Sequence, residues 1–341
     1  MRTDRSGRRR SAGCALGLRA LGTAILLSLG WLGGPACATA PPPVERSSVD
    51  SQQSERPREQ PGPKAASESG EAAPQARRLV VACVPPQRWL MRKLIDDRVE
   101  VIVLVEPGMS HETFSPTDAQ ASAVLRARLY LGLGLPHERA PWFRRVRGRV
   151  EVVDCRAGVA PRALEGHSHG NDHDHDCSVD GADPHVWTAP RALAIQARTI
   201  AAALTAAWPD LEDHLAESLP KLERELDALH EELAGILAPC RDRPMFVFHP
   251  AWGYFTDAFG MTQVPIEREG KQPSDRELVE LQRLARREAV DTIFVQPQID
   301  SRAAHVVARG IGGRVVVIDP LVEEVDSNLR SVARTIAERC R

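Results

Sequence analysis

From residue 79 onward the hydrophobic positions fall into short unbroken runs separated by polar or helical stretches. Leu79 to Val84, Val99 to Val105, Leu129 to Leu133 and Val150 to Cys155 are four such runs. Continuous apolar runs of this length predict parallel strands buried on both faces. Pro116 to Arg128, between the second and third runs, has helical spacing instead. The second half repeats the design with strands at Met245 to Phe248, Thr292 to Val295 and Arg314 to Ile318, and helices at Arg276 to Glu288 and Ala303 to Arg309. Alternating strands and helices of this kind predict α/β lobes.

Two longer helices lie between these halves. Ala189 to Trp208 reads as one. The other carries Leu215, Leu219, Leu222, Leu226, Leu229, Leu233 and Leu237, spaced three or four apart, which is an amphipathic stripe. Pro220 falls inside it and predicts a kink or a helix start there. The expected organisation is an N-terminal lobe over 79–208, a linking helix over 209–238 and a C-terminal lobe over 239–341.

The first 78 residues follow other rules. An arginine-rich start, Met1 to Arg10, precedes an apolar run from Ala20 to Trp31 and then small residues up to Cys37-Ala38. This is the anatomy of a secretory signal, and the run is short for a membrane span. A signal peptide is therefore expected over 1–40. Cys37 is a candidate for lipid modification, while Ala36-Cys37-Ala38 equally fits ordinary signal-peptidase cleavage. Residues 41–78 are rich in Pro, Ser, Gln, Glu and Ala and hold too few large apolar residues to offset ordering entropy, so a flexible tether is expected.

Composition changes this picture in two respects. The chain has 341 residues, 43% hydrophobic and 26% charged, the balance of an ordinary globular protein. Its formal net charge of −2 conceals the leader, whose six arginines and one aspartate carry +5. The remainder is acidic and shows no affinity for nucleic acid in its charge. Five of the seven cysteines, Cys83, Cys155, Cys177, Cys240 and Cys340, lie beyond the leader. Export makes a disulfide plausible, and Cys240 with Cys340 is the preferred pair.

The candidate chemistry lies at strand ends. His111 follows the second strand, His249 ends the Met245 strand and Asp319 ends the Arg314 strand, while His185 opens a helix in Asp183-Pro184-His185-Val186-Trp187. Ligands of open α/β sheets bind beyond the carboxyl ends of the strands. Three imidazoles and one carboxylate suit a four-coordinate zinc ion. A second feature, Gly166 to Cys177, interleaves His167, His169, His173 and His175 with Asp172, Asp174 and Asp176. It reads as a mobile loop able to collect metal weakly, set against the plainer reading of a solvated polar loop. His111-Glu112 suggests a zinc hydrolase, but the helix motif of such enzymes needs a second histidine where Ser115 stands. Gly310 to Gly313 lacks the residues of a phosphate loop. Trp187, Trp252, Tyr254 and Phe255 read as packing. Glu267, Glu269 and Lys271 read either as residues that orient a ligand loop or, more plainly, as a solvated charge run.

Taken together, DPHVW (Asp183 to Trp187), HPAWGYF (His249 to Phe255), IEREGKQPS (Ile266 to Ser274), IFVQPQ (Ile293 to Gln298) and VVVIDPL (Val315 to Leu321) resemble the zinc-uptake branch of the metal-binding ABC-transporter solute-binding proteins. The resemblance runs from about Leu79 to the C-terminus. It implies two Rossmann-like lobes joined by a long rigid helix, with the metal in the cleft between them. It implies His111, His185 and His249 as ligands, with a fourth position that an acidic residue or water fills among relatives and that Asp319 matches here. Some zinc members use a Glu directly before the first His, and Ser110 in that place removes the option. Manganese relatives tend to have a carboxylate where this chain has His249, so the resemblance favours Zn2+. It implies no enzymatic activity. It also implies an extracytoplasmic, periplasmic or lipid-anchored receptor, monomeric, that delivers zinc to the permease of an ABC importer. A manganese-binding member and a periplasmic zinc chaperone or buffer are the alternatives. The His/Asp-rich run before DPHVW fits the same branch.

Overall fold

The computed structural model describes residues 78–164, 182–267 and 271–340, and all statements below concern these. The expected signal peptide, Cys37, the tether up to residue 77, and the His/Asp-rich run with Cys177 lie outside the described residues.

Four parallel strands form the first sheet: β1 (Leu79–Ala82), β2 (Glu100–Val103), β3 (Leu129–Gly132) and β4 (Glu151–Asp154), in the order β2-β1-β3-β4. The second sheet repeats the pattern with β5 (Pro244–Val247), β6 (Thr262–Pro265), β7 (Thr292–Val295) and β8 (Arg314–Val317), ordered β6-β5-β7-β8 and again parallel. In each sheet the first strand is central and the chain winds outward in both directions. The switch point of each lobe therefore lies beyond the strand ends β1/β3 and β5/β7, the place where such sheets bind ligands.

Ladder hydrogen bonds continue past several strand ends, from Leu104 to Ala82, from Val105 to Cys83 and from Phe248 to Phe294. The helix expected from Pro116 begins at Asp118 and ends at Arg126 (α2), since Thr117 caps it by accepting from the Gln120 backbone N–H. Besides the short helices at Pro136–Arg139, Pro141–Val146 and Gly253–Ala258, three further elements were not foreseen. The first is α1 (Pro85–Ile95), with prolines in its first turn and Trp89, Leu90, Leu94 and Ile95 buried. The others are β6 and a C-terminal helix, α10 (Val325–Ala337).

The linking helix, α6 (Glu212–Leu237), follows α5 (Pro190–Ala207) and runs unbroken through Pro220, which is exposed and starts nothing. A proline in a helix interior costs about 3 kcal/mol. Burial of Leu215, Leu222, Leu226, Leu229, Leu233 and Leu237 opposes that cost, at roughly 1.5–3 kcal/mol for each such side chain. This stripe packs against α5 and α1 of the first lobe and α10 of the second. The main core is consequently continuous from the first sheet through α6 to Met245, Val247 and Phe294 of the second. Phe246 and Phe248, one step out of phase on β5, enter a separate core with Ile266, Ile293 and Val295 on the opposite sheet face. A disulfide joins Cys240, just after α6, to Cys340 at the end of the C-terminal helix, with the Cα atoms 5.2 Å apart.

Candidate metal centre

Three imidazoles from three separate segments meet in the cleft. His111 lies in the loop after β2, His185 opens the 3-10 turn Val186–Thr188 ahead of α5, and His249 follows β5. All three are buried. His185 Nε2 is 2.9 Å from His111 Nε2 and 3.4 Å from His249 Nε2. A tetrahedral zinc ion with Zn–N bonds near 2.05 Å would set its ligand nitrogens about 3.3 Å apart.

The carboxylate that joins them is Glu112. Its Oε1 is 3.2 Å from His111 Nε2 and 3.5 Å from His249 Nε2. His111, Glu112, His185 and His249 each present a ligand atom, and these atoms all lie within 4.8 Å of one another. The structure does not bring Asp319 into this group. One Asp319 oxygen accepts from the Leu321 backbone N–H at 2.8 Å and the other from Gln298 Nε2 at 2.9 Å, so its carboxylate closes the turn after β8 instead.

Acidic side chains behind the histidines fix their orientation. Asp183 accepts from both the backbone N–H of His185, at 2.9 Å, and its Nδ1–H, at 2.7 Å. Arg162 in turn donates to Asp183 at 2.7 Å and to Asp257 at 2.9 Å. Glu267 accepts from His249 Nδ1. With Nδ1 committed in both rings, Nε2 of His185 and His249 is left with its lone pair toward the centre. Glu267 is 6% exposed, so it belongs to the site and not to the solvated run that its charged neighbours suggested. Trp187 packs edge-on to His111 and His185 and donates across the cleft to the Pro320 carbonyl at 2.8 Å.

Burial and charge divide the titrations. Burial pushes His111 down to about 4, against the opposing pull of Glu112. For Glu112, burial alone would raise the carboxyl, but the hydrogen bond from His111 and the charges of the three imidazoles outweigh it and hold the group at about 2. Burial would lower His249, yet its bond to Glu267 and the charges of Glu112 and Glu267 raise it above the ordinary histidine value. The centre therefore offers an ionised Glu112 and a neutral His111 to a cation at neutral pH.

The sequence profile described as zinc-uptake complex component A, periplasmic (ZnuA), matches residues 80–338. The chain belongs to the ZnuA family. Two crystal structures of ZnuA, one a deletion mutant with zinc bound, are each 32% identical to it. They superpose with TM-scores of 0.70 and 0.69, over 78% and 77% of this chain and 100% and 98% of theirs. The high-affinity zinc uptake protein ZnuA of Haemophilus influenzae is 29% identical over 155 residues, 44% of this chain and 45% of that one. A manganese-bound periplasmic protein of Candidatus Liberibacter asiaticus, 17% identical with a TM-score of 0.66 over 78% of this chain and all of its own, shares the fold. ZnuA membership makes the chain a metal-binding solute-binding protein with two parallel-sheet lobes. Among the described residues no helix is long and apolar enough to cross a membrane.

Proposed function

We propose that this protein captures Zn2+ outside the cytoplasm and delivers it to an ABC-type importer, with the ion as cargo held by His111, His185, His249 and Glu112. The convergence of three imidazole nitrogens and one carboxylate at tetrahedral spacing carries this reading. Three nitrogens and one oxygen form a softer set than manganese prefers. A zinc-bound ZnuA structure at 32% identity supports the same choice. All four positions are taken by side chains, which leaves no ion-bound water to attack a substrate and argues against a hydrolase.

The His/Asp-rich run from His167 to Asp176 would act as a weak collector that raises the local zinc concentration or passes ions to the main site. Export, and anchoring through Cys37 where lipid is attached, would place the receptor beside its permease.

Zinc titration against competing manganese, scored by elemental analysis, tests the assignment. One tightly held zinc should survive a large manganese excess, and His249→Ala should weaken it severely. Retention of manganese in place of zinc would establish the manganese reading, which the manganese-bound fold neighbour keeps in view. Zinc-dependent docking to the permease separates an import receptor from a buffer.

A further inference from the structure

The first lobe has its own switch point, beyond the ends of β1 and β3, and it is filled by side chains other than those of the cleft centre. Cys83 directly follows β1, Tyr130 belongs to β3, and His137 and Glu138 lie on the short helix α3 (Pro136–Arg139). Cys83, Tyr130 and His137 are buried, and ligand atoms of Cys83, His137 and Glu138 lie within 4.8 Å of one another. Cys83 Sγ is 3.0 Å from the Tyr130 hydroxyl and 3.4 Å from Glu138 Oε1. Its single thiol hydrogen can serve only one of them. The Tyr130 hydroxyl in turn lies 3.1 Å from His137 Nε2, while His137 Nδ1 is buried without a hydrogen-bond partner.

A purely structural cluster would not be expected to take this form. A buried imidazole nitrogen with no partner costs about 1–3 kcal/mol, and a carboxylate beside a thiol adds a second desolvation cost. The local chain is nevertheless shaped to keep Glu138 in place. Its Oε1 accepts from the backbone N–H groups of Leu133 at 2.9 Å and Leu135 at 3.1 Å. Its Oε2 rests against Gly132, where a Cβ would come within 2.8 Å of it.

We propose that Cys83, His137 and Glu138 form a second metal site, distinct from the cleft centre and selective for soft or borderline cations through its thiolate. One sulfur, one nitrogen and one oxygen donor form a set that zinc, cobalt and cadmium accept and that manganese and magnesium disfavour. Binding replaces the thiol proton with the cation: the Cys83 S–H bond breaks, an S–metal bond forms, and a proton leaves to solvent, with no change of oxidation state. Tyr130 is placed to hydrogen-bond the resulting thiolate. A surface cavity of about 220 Å³ borders the cluster at Glu138, with Gly132 and Gly134 also in its wall. Arg139, Arg147 and Arg156 also line it, the last paired with Asp154 in the same wall.

Cobalt alone is the probe, because a thiolate–cobalt bond gives an intense near-ultraviolet charge-transfer band that the sulfur-free cleft ligands cannot produce. The parent protein carries Cys177→Ser, which removes a thiol from the His/Asp-rich run, and is kept free of reductant to preserve the disulfide. The band should appear on cobalt addition, persist in His111→Ala and Cys155→Ser, and vanish in Cys83→Ser. His137→Gln should raise the cobalt needed for half its intensity by about tenfold or more. This second variant keeps the test valid if Cys83→Ser misfolds. Absence of the band in the parent overturns the proposal, as does its survival in Cys83→Ser or an unchanged cobalt requirement in His137→Gln.

Discussion

Glu112 of the first lobe faces His249 of the second across the cleft, Oε1 to Nε2, at 3.5 Å. The contact places opposite sides of the cleft on one prospective ion, and under the proposed function Glu112, not Asp319, is the carboxylate expected to set affinity. Glu112→Gln removes the negative charge while keeping the shape. It should weaken zinc binding by roughly 100-fold or more, beyond the 10–100-fold loss typical of residues behind the ligands. Asp319→Asn should change affinity far less. Equilibrium competition with a chromogenic chelator measures both, and a larger loss in Asp319→Asn would return the fourth position to that residue.

The carboxylates behind the histidines act through ring orientation. Asp183→Asn and Glu267→Gln should each lower zinc affinity by about 10–100-fold while leaving one zinc per chain at saturation. Gly253→Ala should resemble Asp183→Asn, because a Cβ there would overlap the Arg162 guanidinium that holds Asp183. Isothermal titration would show the loss, and a change in stoichiometry would contradict a positioning role.

Zinc affinity should depend on pH chiefly through His249. Its raised value means that below it zinc must displace one proton from the ring, weakening binding by about tenfold per pH unit. His111, at about 4, is already neutral there and adds no slope. Glu267→Gln removes the charge that raises His249, so the steep region should move to lower pH. A pH series of competition titrations on the two proteins checks the displacement, and coincident profiles would refute it.

The metal-free protein should lose stability on acidification. Burial lowers both His111 and His137 to about 4 from an ordinary 6.5. Between those values the unfolded chain binds more protons than the folded one, so stability falls as pH falls. The loss approaches 3 kcal/mol for each group as an order of magnitude. His249 works in the opposite sense, contributing stability below 6.5 that is lost as pH rises through its raised value. Denaturant unfolding in the presence of a chelator should show a net decline from pH 6.5 towards 4, and His137→Gln should flatten it.

Reduction of Cys240–Cys340 should destabilise the second lobe. The bond spans 100 residues, and a closed loop of that size corresponds to about 4–5 kcal/mol of unfolded-state entropy, with 2–5 kcal/mol usual in practice. Unfolding of Cys340→Ser against the parent measures it.

Much of this arrangement was legible in the residue pattern. Strands buried on both faces announce themselves as apolar runs, so β1, β3 and β7 stood out, whereas Thr262–Pro265 is short and mixed and gave no comparable signal. The three histidines were visible because strand ends and DPHVW mark them. Glu112 was hidden beside His111, where it looked like half of an incomplete hydrolase motif. Asp319 looked like a ligand from its strand-end position and from the resemblance, but the turn to Leu321 and the Gln298 side chain engage its oxygens. Glu267 sat in a charge run, and only its burial against His249 reveals its part. Cys83, His137 and Glu138 are too far apart along the chain for spacing to connect Cys83 with the other two.

The 26-residue helix α6 is shared by the cores of both lobes. A single spine of roughly 39 Å restrains opening and closing about the cleft. Ion capture should then move little apolar surface into or out of water, and the heat capacity of the protein should hardly change on binding. Calorimetry across temperature would give a nearly constant enthalpy, setting this receptor apart from those that fold shut around their cargo.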